Sequence, residues 1–140
     1  DAIEPNPDLL SILIGTNDVG KDVKPVDFEG DYRFVLDASR KANPALKIIL
    51  IDPFVLRSGK IGTDNAWAKR RSATDELRKV VVRLAKDYDA LHLPMQDIFD
   101  QAAKTSSPNH WIWDGIHPLP AGHELIARSW LDAVSARWPA

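Results

Sequence analysis

Apolar residues in this chain come in short dense runs, separated by longer stretches where they recur every three or four positions. The first run, "LLSILIG" from Leu9 to Gly15, ends on a glycine and follows the loop-like "EPNPD". A continuous apolar run of this length suits a strand covered on both faces in a parallel sheet. From Val26 to Ala42, Phe28, Tyr32, Val35 and Leu36 fall on one face and predict an amphipathic helix. Asn43 and Pro44 stop it, because the residue before a proline is pushed out of the helical region. Lys47 to Ile51 then predicts a second covered strand. Asp52 to about Arg70, with Pro53, Gly59 and Gly62 and little periodicity, reads as a long connection of the kind that is functional or disordered.

Helical spacing resumes with Leu77, Val80, Val81, Leu84 and Tyr88, and Ala90 to Leu93 predicts a third short strand. Met95 to Ala103 reads as a short helix and Lys104 to Asn109 as a polar loop. Leu119 to Trp138 reads as a last helix, with Pro120 in its first turn and Ala127, Leu131, Val134 and Trp138 along one side. Strands alternating with helices imply parallel strands joined by right-handed crossovers in an α/β sandwich. Ligands in such folds sit beyond the carboxyl ends of the strands. The "GTND" after the first strand and the Asp52–Arg70 connection therefore share one rim, to which the "DGIH" at Asp114–His117 has to return.

Bulk composition narrows the function more than the fold. At 140 residues the chain is one domain's worth, residues 1–140, enough to bury about two-thirds of its unfolded surface. With 27% charged residues and a net charge of −2, it lacks the clustered basic face that nucleic acid demands. Its densest basic run, Lys69 to Arg71, is followed by Asp75 and Glu76 and reads as a solvated helix start. Without cysteine there are no disulfides, thiolate metal sites or cysteine nucleophiles. No apolar run approaches the ~20 residues of a membrane span. No export signal is visible, and the compartment, cytoplasmic or secreted, stays open. The chain opens on Asp1 and reaches a buried-type strand within ten residues, so it reads as a protein entered part-way, incomplete at its amino terminus.

Two short blocks hold the chemistry. An aspartate three residues before a histidine, as in Asp114 and His117, turns back through a glycine-containing loop and accepts the imidazole Nδ1–H, leaving Nε2 as a general base. The plainer alternative is a turn-capping aspartate beside a surface histidine. In Gly15–Asp18, the glycine allows a sharp turn at the strand end and Asn17 presents an amide donor suited to an oxyanion. The plainer alternative here is an Asn-Asp turn that merely caps the next segment.

Together "GTND" at 15–18 and "DGIHPLPAGHELIA" at 114–127, with "PDLLSILIG" and "ANPALKIILIDPFVL", resemble the SGNH (GDSL-type) hydrolases over nearly the whole chain. The resemblance implies a three-layer α/β/α sandwich with a parallel, flavodoxin-like sheet. It implies His117 as general base, Asp114 as its orienting partner, Asn17 as oxyanion donor and Gly15 as a backbone position beside that hole. Asp18 matches a position that supports the loop. The family's Gly-Asp-Ser nucleophile block and its second oxyanion glycine have no counterpart here. Of the serines, Ser11 lies in a strand, Ser39, Ser72, Ser129 and Ser135 on helices or their flanks, and only Ser58 lies in the rim loop.

The expectation is therefore a serine ester hydrolase using an acyl-enzyme on short-chain acyl esters or acetylated carbohydrates, with no cofactor and no metal. Its nucleophile would come from a missing amino-terminal segment or a partner chain that also completes the sheet. The alternative is a non-catalytic α/β binding module. Trp67, Trp113 and Phe54 are candidate substrate contacts, with packing anchors the competing reading for each. His92 reads as structural, and His110 and His123 as loop or surface residues.

Overall fold

The computed structural model describes residues 6–139, so the start of the "EPNPD" lead-in lies outside the described residues. Three strands, β1 (Leu9–Leu13), β2 (Lys47–Ile51) and β3 (Leu91–Leu93), form a parallel sheet in the order β1-β2-β3. Leu9 lies beside Lys47 and Ile49 beside Leu91. Strand residues point alternately to opposite faces, so β2 serves two cores. Ile48 and Leu50 face one way, into a cluster with Phe28, Tyr32 and Leu36 of helix α2 (Pro25–Ala42) and Leu77, Val80, Val81 and Leu84 of α3 (Asp64–Asp87). Ile49 and Ile51 face the other way, against Met95 and Phe99 of α4 (Met95–Thr105) and a row from α6 (Pro120–Arg137). Each buried aliphatic of this kind contributes roughly 1.5–3 kcal/mol, so the four on β2 make it the densest apolar element. The result is the expected three-layer α/β/α arrangement.

Local signals explain most boundaries. The Asn43 Oδ1 accepts from Ala45 N–H at 3.0 Å while its Nδ2 donates to Pro7 O at 3.1 Å, so one side chain both ends α2 and ties down the lead-in to β1. Four expectations need correction. Helix α3 starts at Asp64, with Thr63 Oγ1 accepting from Ala66 N–H, so the connection after β2 ends at residue 63 and Trp67 is helical. The first turns of α3 are largely polar and solvent-facing, which hid their periodicity. Val35 is 43% exposed, because the buried stripe of α2 runs through Phe28, Tyr32, Leu36 and Ser39. On α6 the sheet-facing row is Leu125, Ile126, Trp130, Ala133 and Val134, while Leu131 is 56% exposed and Ala127 is exposed. Short helices α1 (Thr16–Gly20) and α5 (Pro108–Trp111) fill stretches with no periodicity to read.

The outer edge of β1 has no partner strand among the described residues, and its last apolar residues, Leu13 and Ile14, are 41% and 42% exposed. Among the described residues no helix is long and apolar enough to cross a membrane.

Candidate active site

Residues 112–118 form a closed loop at the rim. Ile112 and Pro118 pair as an isolated antiparallel bridge, and Leu119 N–H donates to Trp111 O at 2.8 Å. Inside it Asp114 uses both carboxylate oxygens. Its Oδ1 accepts the backbone N–H groups of Ile116 at 3.0 Å and His117 at 2.8 Å, and its Oδ2 lies 2.7 Å from His117 Nδ1. Partial desolvation pulls the Asp114 carboxyl upward, but the hydrogen bonds from the His117 ring and from the two backbone amides outweigh it and hold it below the usual carboxylate range. An ionised carboxylate only accepts, so Nδ1 carries a proton, and in the neutral ring it is Nε2 that holds the lone pair. The ring is 65% exposed, and Trp113 stacks beside it with centroids 6.2 Å apart and planes 22° apart.

Backbone geometry locks this loop to the one after β2. Gly115 has φ +100°, and a Cβ there would stand 2.5 Å from Ile61 Cδ1. Gly59, at φ +50°, would place a Cβ 2.5 Å from Trp113 O. Both positions exclude a side chain, by left-handed backbone as well as by contact. Between them, Leu56 N–H donates to Gly115 O at 3.0 Å.

The second block enters from the end of β1. Gly15, at φ +112°, starts α1 with its Cα against Pro53 and Phe28, which a Cβ would meet at 3.1 and 3.4 Å. Asn17 follows, exposed in the first turn of α1, and the Asp18 carbonyl accepts from Lys21 and Val23 N–H. Arg70 of α3 donates to Thr16 O at 2.6 Å. With Ile61, Val19 and Gly20, Arg70 lines a cavity of about 280 Å³ between α1 and α3. Ile61 thus lines this cavity beside α1 and also packs on Gly115 of the other block. Neither Ile61 nor Arg70 was singled out as a site residue in the sequence, where a lone isoleucine between glycines and one member of a basic run gave no signal.

Other candidates separate. Phe54 is a core residue, 4% exposed, with its ring 4.7 Å from Phe99, which removes it from the substrate contacts. Trp67 lies on α3 beneath the Arg71 guanidinium at 5.8 Å, and not in the loop expected for it. Ser58 is 2% exposed and its Oγ has no hydrogen-bond partner, so it is not a nucleophile paired with His117. Among the described residues no serine hydroxyl bonds to the His117 ring. His92 is structural, with Nε2 2.7 Å from Asp52 Oδ1. His110 packs edge-on to Trp111, and His123 is exposed on α6. Among the described residues no group of three or more His, Asp or Glu is placed to hold a metal ion.

Comparison with known proteins places the chain in a family. The GDSL-like Lipase/Acylhydrolase family matches residues 1–125, and the chain belongs to that family. An acetylxylan esterase of Geobacillus stearothermophilus is 30% identical over 147 residues, covering 99% of this chain and 64% of that protein. Among solved structures, a protein described as a GDSL-like lipase from Parabacteroides merdae superposes with a TM-score of 0.88 at 33% identity, over 96% of this chain and 63% of that one. The Geobacillus stearothermophilus acetylxylan esterase Axe2 gives 0.79 at 29% identity, over 96% and 62%. Variants of Axe2 at a serine and at an aspartate are described as catalytic mutants, and a further variant replaces the tryptophan directly before that aspartate. The chain spans just under two thirds of the length of these relatives.

Proposed function

We propose that this chain supplies the base and an oxyanion donor of a carboxylic ester hydrolase that works through an acyl-serine. The observation that carries this reading is the 2.7 Å contact between Asp114 Oδ2 and His117 Nδ1 on an exposed ring, which turns Nε2 away from the carboxylate. In the proposed reaction, His117 Nε2 takes the proton of a serine hydroxyl as the oxygen attacks the ester carbonyl. Asp114 stabilises the imidazolium, and the Asn17 amide, beside the Gly15 backbone, donates to the tetrahedral oxyanion. Collapse passes the proton from His117 to the leaving alkoxide. Water, deprotonated by the same nitrogen, then releases the acid.

The serine is proposed to lie in polypeptide outside these 140 residues, a preceding segment or a partner chain. Three things support this: the relatives' greater length, the serine among Axe2's catalytic mutants, and an edge of β1 that has no partner strand among the described residues, with Leu13 and Ile14 exposed. Short acyl esters, acetylated carbohydrates foremost, are the proposed substrates. The exposed Trp113 face next to His117 offers a platform for a sugar ring. Trp67, held on α3 by Arg71, has a weaker claim as a more distant contact.

A fluorophosphonate probe followed by peptide mapping tests the assignment. Labelling of a serine outside the chain, dependent on His117, is expected. Labelling of Ser58 refutes the mechanism as written. No labelling, and p-nitrophenyl acetate hydrolysis at the buffer rate in the longer protein, establishes a binding module instead.

A further inference from the structure

Gln96 is fully buried in the first turn of α4, away from any group used in the proposed reaction. Its carboxamide grips one residue of the loop after β2 from both sides. Oε1 accepts Val55 N–H at 2.8 Å and Nε2 donates to Val55 O at 3.0 Å. This is the pairing a neighbouring strand would give, supplied by a side chain where the sheet has ended. The amide has only one workable orientation, because Nε2 also donates to Asp100 Oδ1 at 2.8 Å and a carboxylate cannot donate in return. Asp100 is itself fixed by Arg71, whose Nη1 and Nη2 reach it at 3.0 and 2.9 Å.

The next residue along, Leu56, donates its N–H to Gly115 O, between Asp114 and His117. We infer that Gln96 is a positioning residue for the Asp114–His117 pair, acting through Val55 and Leu56. It holds the 54–56 backbone in the one register that lets Leu56 meet Gly115 while Gly59 and Gly115 make their side-chain-free contacts. The inference rests on the reading of His117 as the base for its functional meaning, but its structural content is separate. A buried amide that loses its partner leaves Val55 N–H and C=O unsatisfied, so the segment shifts to find others. The Asp114 turn is pulled with it.

The test is ¹⁵N NMR, at neutral pH, of the longer protein that includes this chain, with Gln96→Met and Gln96→Glu. The second keeps the size but sets carboxylate oxygens against Asp100 and Val55 O. In the unaltered chain, His117 Nδ1 and Nε2 are expected as well-separated protonated and unprotonated signals. In both variants they move toward one another, while the His92 signals, fixed by Asp52, stay in place. Leu56 amide exchange rises by about tenfold or more, as its local opening becomes easier. A folded variant with unchanged His117 signals overturns the inference, as does equal loosening of His92 and His117. If neither variant folds, exchange in the unaltered chain decides: Val55 and Leu56 amides as fast as those of an open loop overturn it, and strong protection supports it. Ester hydrolysis that survives His117→Ala in the longer protein removes the base assignment without altering these nitrogen signals, so the two failures read apart.

Discussion

The molecule contains two aspartate–histidine pairs with the same 2.7 Å contact, and they are built for opposite ends. Asp52 is fully buried at the end of β2, and its second oxygen takes Arg78 Nε at 2.9 Å. Arg78 in turn reaches Asp75 and Asp97, so the carboxylate is shared in a network that ties the strand ends to α3 and α4. His92 is held by Nε2, in a half-covered position on β3. His117 is held by Nδ1 instead, by a carboxylate that meets no Lys or Arg among the described residues, on a ring open to solvent. Pairing alone therefore says nothing about catalysis. The nitrogen left free, the competing cation and the exposure separate a base from a brace.

Mutations at the two pairs should diverge, and the largest effect is on turnover. In the longer protein that includes the nucleophile, His117→Ala is expected to lower hydrolysis of p-nitrophenyl acetate by about 10⁴-fold or more, against a few-fold for His92→Ala. Asp114→Asn comes next, with about a 10²–10⁴-fold loss of kcat and little change in KM, because the amide favours the wrong imidazole tautomer. A loss confined to KM contradicts the orienting role. On stability the ranking reverses. Asp52→Ala removes the buried acceptor shared by Arg78 Nε and His92 Nε2, leaving Arg78 only Asp75 and Asp97, and should cost roughly 1–3 kcal/mol in urea denaturation. The corresponding change at Asp114 should cost clearly less.

A smaller effect appears on acidification. The Asp114 carboxyl is held below its unfolded value, so its contribution is fully present above about pH 4 and is lost as pH falls through the lowered native value. The urea midpoints of the unaltered chain and Asp114→Asn should differ most at about pH 6 and draw together as the pH falls below the ordinary carboxylate range. The smallest expected change is Trp113→Ala, a few-fold rise in KM for an acetylated oligosaccharide with none for a small aryl ester. An equal rise for both removes the sugar platform.

The same contrast explains what the sequence could disclose. Asp114 and His117 are three residues apart and face each other through one turn, so local spacing was enough. Asp52 and His92 are 40 residues apart, and only the pairing of β2 with β3 brings them together. The sandwich was readable because β2 is apolar at every inward position and its flanking helices repeat at regular steps. The start of α3 was not, since its signal is a single capping threonine ahead of polar turns. On α6, apolar residues are spread over more than one face, and the spacing joins Val134 and Trp138, which pack on the sheet side, to Ala127 and Leu131, which face solvent. Phe54 lies at the rim in sequence order, but a phenylalanine after a buried strand gains more from Phe99 than from solvent.

The twin glycine contacts also constrain how this rim can diversify. With Gly59 pressed on Trp113 and Gly115 on Ile61, the two loops fit like the halves of a hinge pin, with no slack for one to change shape alone. Grafting either loop by itself from a relative invites collision, whereas transplanting both together preserves the fit. Chimeras designed to alter selectivity should therefore exchange residues 52–63 and 111–118 as one cassette.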